Sequence, residues 1–138
     1  WDSLGEFCAL AASLCHLGER TGNEKAAILA NTLDQAIGKL LDTNKSPSRN
    51  VGEIDNRGSH FYLSMYWAEA LAAQDENDEL KKYFAPMAEK LISNEDIIIS
   101  ELGSAQGHAV DLGGYYHVPE NKVPATMRPS LTLNAIIG

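Results

Sequence analysis

Residues 55–74, DNRGSHFYLSMYWAEALAAQ, join two unlike halves and decide the fold. The first six residues are polar, whereas the remainder is apolar nearly all the way round. A helix with so little polar surface is normally buried, so we predict a central helix over 59–74 with Ser59 as its N-cap and Gly58 free to take a positive φ. The polar hexapeptide has two interpretations: an elaborate helix cap, or a binding loop that the buried helix holds rigid.

Amphipathic helices are predicted on both sides of this stretch. Apolar residues at three- and four-residue spacing predict helices over 3–19 and 24–42, and the short TGN between them favours an antiparallel hairpin. After the central helix, Pro86 is expected to kink a fourth helix or to begin a new one. That helix should run on through Leu102.

The C-terminal part of the chain is irregular. It is rich in Gly and Pro and holds at most short strands around Val110–Leu112 and Tyr115–Val118, before a final short helix that Ser130 caps. The predicted fold is therefore mainly α: a helical bundle of about five to six helices with an irregular Gly/Pro-rich C-terminal segment. We expect residues 1–138 to form a single helical domain.

Charge and hydropathy disfavour two classes of partner. Eleven basic and 19 acidic side chains give a net charge of −8 and a pI near 4.8, so nucleic acid is not expected as the main partner. No apolar run approaches the roughly 20 residues that a membrane-spanning helix needs. No membrane association and a cytoplasmic location are therefore expected.

Cys8 and Cys15 lie about 10 Å apart along one predicted helix, beyond the roughly 7 Å reach of a disulfide. We interpret them as small buried hydrophobic residues. The chain starts at Trp1 without a Met and stops at Gly138 just after an apolar stretch. Both features raise the expectation that it is a piece of something larger.

No recognisable active site can be assembled from the sequence. It has no Gly-rich phosphate loop, nucleophile elbow or His pair at metal-ligand spacing. His60 is interpreted as a hydrogen-bonded structural group, and Arg128 as a surface partner for acidic residues rather than an anion contact. Arg57 has three options: pairing with Asp55, pairing with Glu53, or reaching a ligand.

The segment NKSPSR, residues 44–49, is a candidate anion site. Lys45 and Arg49 bracket two hydroxyl groups, and Pro47 restrains the backbone between them. Arg offers a planar fork suited to two phosphate oxygens, while Lys supplies a point charge. From composition alone, a solvated basic loop is the favoured alternative.

A family resemblance rests on seven blocks. They are WDSLGEF (1–7), ALAASL (9–14), NKSPSR (44–49), DNRGSHFYL (55–63), YWAEALAAQ (66–74), GGYY (113–116) and MRPS (127–130). In this order and spacing the chain resembles the C-terminal portion of the monomeric NADP-dependent isocitrate dehydrogenases of bacteria. Those enzymes are several times longer, so the chain looks like roughly their last fifth.

The resemblance implies a specific function. The family oxidises isocitrate to 2-oxoglutarate and CO₂, with NADP⁺ as hydride acceptor and Mg²⁺ or Mn²⁺ holding the substrate in a cleft between two domains. It implies NADP contacts at Trp1, Asp2 and Arg49, and makes Arg49 the favoured ligand of the phosphate on the adenosine ribose. The C-terminal segment is expected to complete the smaller domain. DNRGSH then becomes mainly a rigid corner that affects cofactor binding indirectly, by holding Arg49 in place.

The resemblance also implies what the chain lacks. The catalytic residues and the metal ligands belong to other parts of the family's chain, so we expect no turnover by this segment alone. Its partners would be NADP and the remainder of the enzyme, and an isolated segment could form a homo-oligomer. The alternative is a stand-alone helical binding or oligomerisation module that kept the fold without catalysis.

Overall fold

The apolar periodicity of the sequence becomes a set of α-helices. The computed structural model describes residues 2–138, and the helices in that range are α1 (Leu4–Thr21), α2 (Glu24–Asp42), α3 (Asn56–Ala73), α4 (Asp78–Ser93), α5 (Glu95–Ser104), α6 (Lys122–Met127) and α7 (Leu131–Ile137). No strand occurs within residues 2–138. The mainly α fold class is confirmed, and residues 2–138 contain seven helices where about five to six were predicted.

Helix α3 is the centre of the bundle. Phe61 and Leu71 are each only 1% exposed, and α3 packs against both α2 and α4. A partly buried hydrogen bond also joins α2 and α3: the Trp67 indole N–H donates to Thr32 Oγ1 at 3.0 Å. Burial of aromatic and aliphatic side chains around most of this helix, with His60 and Ser64 exposed on one side, is the main stabilising contribution to this fold.

Helix α1 packs on α2 at the edge of the bundle. The turn between them uses Gly22 at φ 67 to end α1, while the Asn23 side chain accepts from Ala26 N to begin α2. The two helices approach closely at Gly18, where an added Cβ would lie 3.1 Å from Ala27 N. The predicted hairpin of two helices is therefore present.

The start of α3 differs from the prediction. Asp55, not Ser59, is the N-cap, and its Oδ1 accepts from Arg57 N at 2.9 Å and Gly58 N at 3.1 Å. One carboxylate oxygen thus satisfies two of the amides that a helix start leaves unpaired. Gly58 therefore lies inside the helix, and Ser59 is a buried helical residue.

The break after α3 also falls elsewhere than expected. Pro86 lies inside α4 and begins no new helix, and the chain breaks instead at Asn94, between α4 and α5. Proline deprives the carbonyl four residues earlier of its partner. Here that carbonyl belongs to the exposed Lys82, where water can satisfy it.

The strands expected around Val110–Leu112 and Tyr115–Val118 are wrong. Residues 107–117 are all exposed and irregular, and nothing near them offers a strand partner. The prediction that Cys8 and Cys15 are buried is also wrong, because both are exposed. Their helix lies at the edge of the bundle: Phe7, Ala11 and Gly18 are buried and Leu4 and Leu14 pack partly buried against the core, whereas the Cys residues do not.

Helix α7 is held to α5 by one carboxylate. Glu101 Oε2 accepts from Ser130 Oγ at 2.5 Å and from Thr132 N at 3.1 Å, and its Oε1 accepts from Thr132 Oγ1 at 2.9 Å. Ser130 in turn caps α7 by accepting from Leu133 N, as predicted. We call Glu101, Ser130 and Thr132 the Glu101 latch.

Candidate functional site

The loop of residues 44–54 leads from α2 to the start of α3 and is closed by its own hydrogen bonds. Ser48 N donates to Ile54 O at 2.7 Å, and Asn50 N donates to Ser48 Oγ at 3.2 Å. The Ser48 hydroxyl donates in turn to Glu53. These bonds draw the two ends of the loop together around the intervening residues.

A second set of bonds attaches the loop to the end of α5. Gly52 N donates to Gln106 Oε1 at 2.8 Å, and Gln106 Nε2 donates to Glu53 O at 2.9 Å. We call this pair of bonds the Gln106 clamp. Gly52 has φ 89, a conformation that other residues rarely adopt. The clamp and the internal bonds give the loop one defined shape.

The Glu53 carboxylate stays charged inside this loop. Hydrogen bonds, first from Ser48 and then from Asn50, lower its pKa below the usual value and outweigh the opposing effect of desolvation. Those same donors occupy the carboxylate, since Asn50 Nδ2 lies 3.2 Å from Glu53 Oε2. Its negative charge is therefore partly neutralised by neighbouring dipoles.

Arg49 is the exposed cation of this loop. Within residues 2–138 its side chain makes no hydrogen bond or ion pair. It borders an open cavity of about 420 Å³ whose other polar lining residues are Ser48, Asn50, Asp55, Arg57, Gln106 and Thr126. The Asp55 carboxylate in this lining is paired with Arg57. A guanidinium left unpaired beside hydroxyl and amide groups suits an oxyanion ligand.

Lys45 does not join Arg49 in this cavity. Its Nζ lies 4.2 Å from the centroid of the Tyr62 ring, over the ring face. Burial first, and then the hydrogen bond to Glu95, raise the pKa of the Tyr62 hydroxyl, which donates to Glu95 at 2.8 Å. The basic segment thus divides into a Lys that packs against the bundle and an Arg that faces solvent.

The corner DNRGSH is organised by Asp55 and Arg57. Asp55 Oδ2 accepts from Arg57 Nε at 2.9 Å and from Nη2 at 2.5 Å, while Arg57 Nη1 donates to Thr126 O at 2.8 Å. Burial acts to raise the pKa of Asp55, but hydrogen bonds from Arg57 and Gly58 and the guanidinium charge outweigh it, so the pKa is lowered. Arg57 is therefore paired with Asp55, not Glu53, and three of its five side-chain N–H groups donate inside the protein.

Asp2 lies close to the same corner. Its Oδ1 accepts from Leu4 N at 3.0 Å at the start of α1, and the next residue, Ser3, donates to Asn56 Oδ1 at 3.3 Å. The start of α1 and the loop of Arg49 therefore both adjoin the first residues of α3. Trp1, the third predicted cofactor contact, lies outside the described residues.

Two other residues singled out in the sequence have structural partners. His60 Nδ1 lies 2.7 Å from Asn56 O, and its ring meets Phe7 edge-on at 4.9 Å, which agrees with the structural interpretation. Arg128 differs from the prediction: it makes no ion pair within residues 2–138, and its Nε donates to Asn134 Oδ1 at 3.1 Å. Both residues also line a cavity of about 260 Å³ between α3 and α7.

Comparison with known proteins decides the family. A family model described as monomeric isocitrate dehydrogenase matches residues 1–138. The chain belongs to this family. It is 60% identical over 138 residues to an isocitrate dehydrogenase [NADP] of Azotobacter vinelandii and 60% identical to isocitrate dehydrogenase [NADP] 2 of Colwellia maris. It is 56% identical over 137 residues to isocitrate dehydrogenase [NADP] 2 of Mycobacterium tuberculosis.

This member of the monomeric isocitrate dehydrogenase family corresponds to a segment of those relatives. It is covered completely by the Azotobacter vinelandii and Colwellia maris proteins but spans only 19% of the length of each. In the described part of the chain, no three His, Cys, Asp or Glu side chains come together as a metal site would require. Among residues 2–138 there is also no helix with the length and hydropathy to cross a bilayer.

Proposed function

We propose that this chain is the segment of an NADP-dependent isocitrate dehydrogenase that contributes part of the site for the 2′-phosphate of NADP, through Arg49. One observation carries the proposal. Of the three cations near the loop, Lys45 packs on Tyr62 and Arg57 pairs with Asp55, whereas the Arg49 side chain has no hydrogen-bond or ion-pair partner within residues 2–138. The 2′-phosphate is the group that separates NADP from NAD, so an unpaired Arg is the chemistry that the discrimination needs.

The other proposed contacts have a different chemistry. A carboxylate repels phosphate, so Asp2 suits a hydroxyl or amide of the cofactor rather than its 2′-phosphate. Its Oδ1 already accepts from Leu4 N, which leaves the exposed Oδ2 for such a contact. Trp1 precedes it directly in the sequence and is proposed as a further contact.

The binding free energy that Arg49 alone can contribute explains why the isolated segment needs the rest of the enzyme. A charged hydrogen-bonded pair contributes about 1.5–3 kcal/mol, whereas millimolar affinity already requires about 4 kcal/mol. The net charge of −8 further disfavours an anion. Arg49 therefore serves as one wall of a pocket whose other walls come from the remainder of the chain.

The oxidation of isocitrate to 2-oxoglutarate and CO₂ requires groups beyond this segment. Bound NADP⁺ would supply the hydride acceptor, and the family's Mg²⁺ or Mn²⁺ has no set of ligands within residues 2–138. The role of this chain is thus to bind and orient the cofactor, and by itself it is expected to give no turnover. Residues 1–138 would form one helical unit of the smaller domain, in a cytoplasmic enzyme.

The segment interpretation is preferred over a stand-alone helical module. The relatives named above are about five times as long as this chain, which spans 19% of them. In each of these relatives, the residues that match this chain are part of a much longer polypeptide. Homo-oligomer formation by the isolated segment stays a prediction.

The experiment replaces Arg49 in the complete enzyme that carries this segment. Arg49→Ala should lower kcat/KM for NADP⁺ by about 10- to 100-fold, the equivalent of one charged hydrogen-bonded pair. The value for NAD⁺ should stay unchanged, because NAD⁺ has no 2′-phosphate. Lys45→Ala is the matched control, since it removes a cation of the same loop that contacts Tyr62 instead. Equal losses for both coenzymes, or no loss, would overturn the proposal.

Arg57→Ala separates direct from indirect roles. We expect its NADP affinity to fall together with its melting temperature, because Arg57 holds Asp55 and Thr126 rather than the cofactor. Loss of NADP binding at an unchanged melting temperature would show that Arg57 is itself a ligand. The assignment of DNRGSH as a rigid corner would then be wrong.

A further inference from the structure

Helix α1 carries apolar residues on its exposed surface as well as on the surface that packs against the rest of this chain. Residues 7–18, FCALAASLCHLG, contain no Asp, Glu, Lys or Arg. Only Phe7, Ala11 and Gly18 of α1 are buried, whereas Leu10 and Leu17 are each 45% exposed. A helix that is hydrophobic all round is normally enclosed on all sides. This one lies at the edge of the bundle and packs on α2.

We call the uncovered surface the α1 outer face and define it by Cys8, Leu10, Ala12, Cys15 and Leu17. The two Leu residues are seven apart, as are the two Cys residues, so each pair lies on one side of the helix about two turns apart. On the Cys side a groove of about 570 Å³ separates α1 from α2. The Leu pair lies on the flank of α1 opposite the Cys pair, because residues two apart are turned by about 200° around a helix. The α1 outer face therefore wraps around the outward side of the helix, with Ala9, Ser13 and His16, all exposed, between the two pairs.

The charges beside this groove are all of one sign. Glu19 and Asp34 are its charged lining residues, and alanines of both helices form much of the remaining wall. A partner that fits would insert apolar side chains into the groove and place Lys or Arg at its edges. Acidic edges also disfavour a second copy of this same face, which would bring like charges together.

Helix α4 provides a comparison within the same molecule. Its sequence, DELKKYFAPMAEKLIS, places charged residues such as Lys82 and Glu89 on its exposed surface. That pattern is typical of a helix that faces water on one side. The irregular residues 107–117 also expose apolar side chains, but ordering them against a partner would cost conformational entropy that a preformed helix does not lose.

We propose that the α1 outer face is the surface on which the remainder of the isocitrate dehydrogenase polypeptide packs, through an apolar element flanked by basic side chains. This inference rests on the proposed function in one respect, that the chain is a segment of the longer enzyme. The relatives extend far beyond it, since it spans 19% of their length. The occupant is therefore the part of the same polypeptide that this chain lacks.

The native cysteines test the proposal directly. Cys8 and Cys15 are exposed in this chain, so both should react readily with a maleimide, and site-specific labelling can be read by peptide mass spectrometry. In the complete enzyme we expect both to react at least about 100-fold more slowly, because labelling then requires local opening. Lys82→Cys on α4 is the control and should react at similar rates in both contexts.

Two results would overturn the proposal. One is equal labelling of Cys8 and Cys15 in the complete enzyme and in the 138-residue chain. The other is protection that already develops in the 138-residue chain as its concentration rises, which would assign the face to a second copy. Thiol labelling does not depend on the coenzyme, whereas the Arg49 experiment reads coenzyme preference, so each proposal can fail without the other.

A pair of matched substitutions provides a second measurement. Leu10 on α1 and Ile92 on α4 are both 45% exposed. Leu10→Lys and Ile92→Lys should change the melting temperature of the isolated chain alike. In the complete enzyme only Leu10→Lys should lower it clearly, because only that position would then be buried. Equal shifts in the complete enzyme would contradict the proposal.

Discussion

Replacing Asp55 should destabilise the protein more than any single surface ion pair. In Asp55→Ala the N-cap of α3 is lost, which costs about 1 kcal/mol. The substitution also removes Asp55 Oδ2, the one oxygen that accepts from both Arg57 Nε and Nη2, at 2.9 and 2.5 Å. The Arg57 side chain is only 17% exposed, so its unpaired guanidinium costs a further ~1.5–3 kcal/mol. The expected loss in the free energy of unfolding is about 2.5–4 kcal/mol, a large share of the 5–15 kcal/mol typical of a domain.

Urea denaturation followed by helix circular dichroism measures this loss. Asp55→Asn keeps an acceptor for the helix amides but removes the charge, so it should lose only the part due to the guanidinium. Asp75→Ala removes the partner of Lys81 in an exposed pair, with the Asp75 side chain 88% exposed, and should leave stability within error of the wild type. Asp55→Ala within about 0.5 kcal/mol of the wild type would refute the reasoning.

The pH dependence gives an independent check. The pKa of Asp55 is lowered in the folded protein, so the folded state holds its proton less tightly than the unfolded chain, whose value is about 3.9. The stabilisation from Asp55 is therefore fully present above the unfolded pKa and is lost as the pH falls through the folded pKa. The stability difference between wild type and Asp55→Asn should shrink on acidification below about pH 4. A difference that stayed constant would contradict the ion pair.

Three further outcomes are expected. Gly38→Ala, in α2 with no atom within 4 Å of the new Cβ, should raise the free energy of unfolding in urea by about 0.5–1 kcal/mol. Gly18→Val should lower it by about 1–3 kcal/mol in the same assay, because even a Cβ there lies 3.1 Å from Ala27 N. Glu101→Gln should weaken the hydrogen bonds from Ser130 and Thr132, which lower the pKa of Glu101 in the wild type. Amide hydrogen exchange should therefore become faster in α7 but not in α3. In the wild type, the Glu101 latch should loosen as the pH falls through the lowered pKa of Glu101. If the hydrogen-exchange rates of α7 did not change, the latch would not be what holds α7.

The sequence predicted the bounds of a helix well where the capping residue directly precedes the apolar periodicity. The range 24–42 predicted for the second helix coincides with Glu24–Asp42, because apolar periodicity and the Asn23 cap agree. The start of α3 was misplaced because Asp55 and Ser59 are both good caps, and sequence alone does not show which one bonds to the helix amides. Asp55 prevails since one carboxylate also pairs with Arg57.

The contacts that fix the candidate site are remote in sequence. Gln106 reaches Gly52 across 54 residues, and Arg57 reaches the Thr126 carbonyl across 69 residues. No local pattern reports such a bond, so the sequence identified Arg49 as the candidate ligand but not the residues that shape its loop. Exposure of Cys8 and Cys15 was missed for a related reason: the periodicity of α1 describes an apolar helix without indicating how much of it this chain covers.

The order in which these contacts form has a consequence for folding. The main helix contacts are those between consecutive helices within α1 to α4, and contacts between sequence neighbours form fastest because they close short loops. The Gln106 clamp and the Arg57–Thr126 bond close much longer ones. The four-helix part should thus collapse first, and the loop that carries Arg49 should acquire its final shape only in the last steps, after the slow search for distant partners.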